Sequence, residues 1–165
     1  MILLGVCLSL SLICACEGAP AASPRELQSL APDTELVALD GHATRFATEL
    51  RGHPALVSFW ASWCDACVAE FPSLNALAKD AADGALVVGV AVGETREKAA
   101  DTAREKGLVY ANFVDPEFTL ADALGQRNVP TTLVVDRGGV ILYRGGALDR
   151  AALDAFERAK HGGVE

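Results

Sequence analysis

The stretch FWASWCDACVAEFP, residues 59–72, sets two cysteines three positions apart behind a tryptophan, where an apolar run gives way to a helical pattern. Upstream, ALVSFWA (55–61) is almost continuously apolar, as expected of a central strand covered on both faces. Downstream, Leu74, Leu77 and Ala78 keep helical spacing, so a helix should begin near Cys64, with Pro72 removing one backbone donor and kinking it. The cysteine pair therefore falls at a strand-to-helix junction.

A pair in that place can be a staple, half a metal site or an exchange centre. Bridging two residues three apart closes too small a loop to stabilise the fold much. A closed zinc site takes four ligands, and this chain offers one pair plus His42, His53 and His161, scattered without ligand spacing. A copper site built from the two thiolates and one distant histidine stays open. An exchange centre fits the position itself: unsatisfied amides and the positive end of the helix dipole favour a thiolate at residue 64. Cys67, one turn in, is then near enough to resolve a mixed disulfide on Cys64.

Outward from the pair, strands alternate with helical patterns, which indicates an α/β domain. ELVAL and HATRF flank Asp40-Gly41, a dipeptide suited to a tight turn, so an N-terminal β-hairpin is predicted. ALVVGVAV (85–92) reads as a second buried strand, and TREKAADTAREKG (95–107) as a surface helix opened by Thr95 and closed by Gly107. VYANFVD, a short helix ending at Gly125, a hairpin of TTLVVD and VILYRGG turning at 137–139, and a last helix over 149–161 complete the pattern.

The chain carries 14 Lys+Arg against 22 Asp+Glu, and no basic run is available to neutralise phosphates, so nucleic acid is not an expected partner. The first fifteen residues, MILLGVCLSLSLICA, are uncharged and fall short of the about 20 apolar residues that span a bilayer. They read as the apolar core of an export signal, with a buried N-terminal element as the competing reading. ICAC resembles a lipoprotein lipobox, which makes Cys16 the lipidated residue, and EGAPAASPRE (17–26) has the composition of a tether. The expected division is a signal over 1–15, a tether over 16–30 and a domain over 31–165. Of Cys7, Cys14, Cys16, Cys64 and Cys67, only the last two then lie in the folded domain.

A second feature, NVPTT (128–132), sets a proline at the mouth of a strand. With WCDAC, the intervening βα units and the closing hairpin and helix, it resembles the thioredoxin superfamily. FWASWCDACVAEFPSLNAL, VVGVAVGETREKA and VPTTLVVDRGGVILYRGG narrow the resemblance to its TlpA/ResA-like, membrane-tethered branch.

The resemblance implies a thioredoxin-like fold with a central mixed sheet flanked by helices. It implies an extracytoplasmic, lipid-anchored thiol:disulfide oxidoreductase that reduces disulfides in exported client proteins, of the cytochrome c maturation or copper-site assembly type. Electrons would come from a membrane thiol reductase, and no bound cofactor or metal is expected. The alternative is a copper-binding chaperone that uses the thiolates without turnover.

By the same resemblance Cys64 and Cys67 are the redox pair, Pro130 is a cis-proline against it, and Glu70 is the acidic residue nearby. Val129 and Thr131 flank the proline where an extended client would lie, and Trp63 shapes the surface a partner meets. Helical geometry supports Glu70, since positions i and i+3 lie on neighbouring faces, and a buried carboxyl could move a proton to or from Cys67. Glu94, in VGET, matches a second acidic position and reads equally as a strand-end charge. Ordinary thioredoxins carry a buried aspartate where this chain has Ser58, which shifts proton handling towards Glu70.

Between the cysteines stand Asp65 and Ala66. The Asp65 charge disfavours the Cys64 thiolate, and hence the reduced form. We expect a midpoint potential near the reducing end of the range of about −270 to −120 mV for such pairs. Asp65→Asn should raise it in a glutathione redox titration, and an oxidising wild-type midpoint would contradict the charge account.

Overall fold

In the computed structural model, which describes residues 34–81 and 84–162, seven strands form one mixed sheet in the order β2-β1-β5-β4-β3-β6-β7. The strands are β1 (Glu35–Ala38), β2 (Ala43–Arg45), β3 (Ala55–Trp60), β4 (Leu86–Val92), β5 (Ala111–Asp115), β6 (Thr131–Val135) and β7 (Ile141–Gly145). The helices are α1 (Phe46–Glu49), α2 (Asp65–Asp80), α3 (Arg96–Glu105), α4 (Thr119–Ala123) and α5 (Arg150–Lys160). The expected signal (1–15) and tether (16–30) lie outside the described residues.

β3 occupies the interior of the sheet, parallel to β4 and antiparallel to β6, with all six of its residues buried. Alternation along it feeds two cores. Leu56 and Trp60 enter a cluster with Cys67, Phe71 and Leu74 of α2, Ala99 of α3, and Ala155, Phe156 and Ala159 of α5. Ala55, Val57 and Phe59 enter the opposite cluster with Phe46 and Leu50 around α1 and Leu120 and Leu124 around α4. Full burial of a side chain such as Phe71 or Leu74 contributes about 1.5–3 kcal/mol, so α2 is held to the sheet by its buried face, one or two turns beyond the cysteines.

The helix boundaries follow local capping. Thr95 accepts from Lys98 N–H at the start of α3, and Asp149 accepts from Ala152 N–H at 2.8 Å at the start of α5. α2 continues past the exposed Pro72 to Asp80. The predicted hairpin forms between β1 and β2, but HATRF is a strand only over Ala43–Arg45. Phe46 turns out of the strand to start α1, because its ring is fully buried in the core and its N–H donates to Thr34 O at 3.2 Å. Tertiary burial overrides the strand pattern there.

Gly89 allows a connection across three strands. The Trp60 indole N–H on β3 donates to Asn112 Oδ1 on β5 at 2.9 Å, passing over Gly89 on the intervening β4. A Cβ at 89 would collide with Asn112 Oδ1 and lie 2.9 Å from Trp60 Nε1. Trp60 in turn meets Phe71 edge-on at 5.2 Å, so this bridge supports the helix that carries the cysteines. We expect Gly89→Ala to destabilise the protein by about 2–4 kcal/mol, through overpacking and loss of a buried hydrogen bond, measured as a lower urea midpoint.

Candidate active site

Beyond Trp60 the chain leaves the sheet, turns through Ala61, Ser62 and Trp63, and enters α2 with Cys64 as its N-cap. Cys64 N–H donates to Ala61 O at 3.1 Å, which closes the turn. Cys64 and Cys67 are joined as a disulfide, with Cα atoms 5.3 Å apart. Cys64 Sγ accepts from Cys67 N–H at 3.1 Å, so the sulfur takes the place of the usual hydroxyl or carboxylate cap. Cys64 is 7% exposed and Cys67 1%. The outer sulfur is the one a partner can reach, and the inner one sits against the core beside Phe71. Trp63, 60% exposed, stands next to Cys64 and is one of two large apolar side chains that are exposed among the described residues.

β6 brings the second motif to the same end of the sheet. Phe59 pairs with Thr131, so Pro130 falls beside the end of β3 and its turn. The Val129–Pro130 peptide bond is cis, as the resemblance implied. Val129 is half-buried and packs against both cores. Thr131 is buried, pairs with Phe59 of β3, and donates its hydroxyl to Asn128 O at 2.6 Å.

Glu70 projects from α2 towards the loop between β7 and α5. Leu148 N–H donates to its Oε1 at 2.8 Å, while Oε2 is buried with no hydrogen-bond partner among the described residues. Burial pushes the Glu70 carboxyl above its ordinary value of 4.5, and the Leu148 hydrogen bond offsets part of that rise. The Tyr110 hydroxyl is also buried without a partner, and its pKa is raised, first by burial and then by the Glu70 charge.

Glu94, at the end of β4, is buried and spends its carboxylate on one residue. Ser62 N–H donates to its Oε1 and Oε2 at 3.1 and 3.2 Å, and Ser62 Oγ donates to Oε2 at 2.5 Å. It is more than a strand-end charge. Ser62 and Leu148 carry no local signal in the sequence, because their partners lie at separations of 32 and 78 residues, and Tyr110 meets the Glu70 charge only through the fold. Ser58 is buried between Gly89 and Thr132, where thioredoxins place their aspartate. Among the described residues, no group of three or more His, Cys, Asp and Glu side chains is arranged to hold a metal.

A mixed sheet with a CxxC pair capping the first long helix and a cis-proline beside it defines a thioredoxin-like dithiol/disulfide protein. The AhpC/TSA family model matches residues 27–144, and the chain belongs to that family. It is 34% identical over 116 residues to the thiol:disulfide interchange protein DsbE of Escherichia coli, a match covering 68% of this chain and 61% of that protein. It is 37% identical over 128 residues to the thiol:disulfide interchange protein HelX of Rhodobacter capsulatus, covering 76% and 71%. The exposed lipoprotein thioredoxin Etrx1 of Streptococcus pneumoniae superposes with a TM-score of 0.61 at 28% identity, covering 78% of this chain and 98% of that one.

The raised Glu70 pKa has a signed consequence for stability. Because the folded value lies above the unfolded one, the stabilising contribution is complete below the ordinary value of 4.5 and is lost as pH rises through the folded value. Glu70→Gln keeps an acceptor for Leu148 N–H and cannot ionise. We expect wild type to lose stability relative to Glu70→Gln as pH rises from 4 to 8, followed as urea midpoints, with parallel curves as the contrary result.

Proposed function

We propose that this protein is a thiol:disulfide oxidoreductase that reduces disulfides in exported client proteins. The observation that carries the reading is the Cys64–Cys67 disulfide at the N-terminus of α2, with the outer sulfur towards solvent beside the cis Val129–Pro130 bond. In the reduced protein the Cys64 thiolate attacks one client sulfur. The client S–S bond breaks, its second sulfur leaves as a thiolate and takes a proton, and a mixed disulfide with Cys64 remains. Cys67 gives up its proton and attacks Cys64 Sγ, which expels the remaining client thiolate and closes the Cys64–Cys67 disulfide. Two electrons have then passed to the client, whose two sulfurs take up the proton Cys67 gave up and one from solvent.

In this reading Glu70, whose carboxyl burial has made a better base, accepts the Cys67 proton. Val129 and Thr131 offer backbone groups to an extended client, Pro130 shapes that edge, and Trp63 supplies an apolar contact. The disulfide is reset by a dithiol donor, for which a membrane thiol reductase is proposed. Lipidation at Cys16, after removal of 1–15, would hold the domain at the extracytoplasmic face on the 16–30 tether. The resemblance to an exposed lipoprotein thioredoxin supports that placement, and among the described residues no helix is long and apolar enough to cross a membrane.

Cys67→Ser removes the resolving thiol and should stall the mixed disulfide on Cys64. We expect the reduced variant to trap client proteins identifiable by mass spectrometry, and wild type to reduce insulin. Tight stoichiometric Cu(I) binding with no disulfide exchange would replace this reading with that of a copper chaperone.

A further inference from the structure

Ser62 stands in a turn that has left the sheet, so its N–H has no strand partner, and yet it is held by three contacts to one carboxylate. We infer that Glu94 is a positioning residue for Cys64, acting through Ser62, an inference that rests on Cys64 being the attacking thiol. Glu94 is itself fixed from behind. Gly93 N–H donates to Asp115 O at 3.1 Å, and Gly93, with φ of +64°, lies under the Phe118 ring, where a Cβ would come within 2.5 Å of the ring. Asp115 is buried and anchors α4 by accepting from Ala121 N–H at 2.9 Å.

The path from α4 and β5 through Gly93 and Glu94 to Ser62 fixes the turn from the side opposite β6. The other end of the turn is set by β3 and by Cys64 N–H on Ala61 O. Held at both ends, Cys64 takes the extended backbone of an N-cap and keeps Sγ on the Cys67 amide of α2. That amide and the helix terminus favour the thiolate, whereas the negative charges of Asp65 and Glu94 oppose it. The hold and the charge therefore act on Cys64 with opposite signs, and a variant can separate them.

The test follows alkylation of Cys64 by iodoacetamide in the reduced full-length protein across pH, with the modified site read by mass spectrometry. Ser62→Ala removes the hydroxyl donor, and Glu94→Ala removes the clamp. Ser62→Ala keeps the charge and should move the onset of Cys64 reactivity to higher pH and slow alkylation at pH 7 by about three- to tenfold, whereas Glu94→Ala loses clamp and charge together and should have its onset above that of Glu94→Gln. Ser62→Thr, which restores the hydroxyl, should bring the onset back. Glu94→Gln keeps an acceptor for Ser62 N–H while removing the charge, and should move the onset to lower pH.

An unchanged onset in Ser62→Ala, or a fall in Glu94→Ala equal to that in Glu94→Gln, would overturn the positioning role. Should Glu94→Ala fail to fold, Ser62→Ala and its threonine rescue carry the decision. Alkylation needs no client, so wild-type protein that reacts at Cys64 but reduces no disulfide would refute the proposed function and still leave the clamp measurable.

Discussion

β3 is buried along its whole length and hydrogen-bonded on both sides, so the chain cannot turn outward before Ala61, and the place where the strand stops dictates where chemistry can occur. Parallel pairing to β4 brings the Glu94 end of that strand to the same level, and antiparallel pairing to β6 brings the start of that strand, with Pro130, to the other side. Four residues, Ala61 to Cys64, must then connect a fixed strand to a helix whose axis is fixed by Phe71 and Leu74 in the core. The unequal exposure of the two cysteines follows from this geometry, since Cys64 lies at the rim and Cys67 one turn below it.

Several of the buried polar groups reach from that junction into the rest of the fold. Trp60 reaches Asn112, whose amide donates back to Tyr110 O at 2.8 Å, and Glu70 reaches Leu148. Leaving Glu70 Oε2 and the Tyr110 hydroxyl without partners costs stability. The same burial that costs stability holds the Glu70 carboxyl above its ordinary pKa, which suits it to the proton-accepting role proposed for it.

What the sequence disclosed depended on the distance over which it was encoded. β3, α2, the cysteine pair and both hairpins were legible because their patterns are local: apolar continuity, helical spacing, and a turn dipeptide between strands. Pro130 was legible only through the joint resemblance, because a proline at a strand mouth has no meaning by itself. Phe46 misled, since HATRF reads as a strand until its ring is known to be buried. Ser62 lies inside the motif with no local sign of its role, because its partner comes 32 residues later. Gly89, inside VVGVAV, was the one local hint of the Trp60–Asn112 bridge, as a glycine within a strand often marks close approach.

The packing of Phe118 on Gly93 bears on how this chain can vary. Position 93 is closed twice, by its positive φ and by an aromatic ring where a side chain would go, while Gly52 and Gly107 share the positive φ with nothing within 4 Å. Relaxing position 93 therefore requires change at position 118 as well, and Phe118 is itself held in the left-handed region. Two sites 25 residues apart can drift only in concert, so in any large set of variants they should behave as one character with two letters.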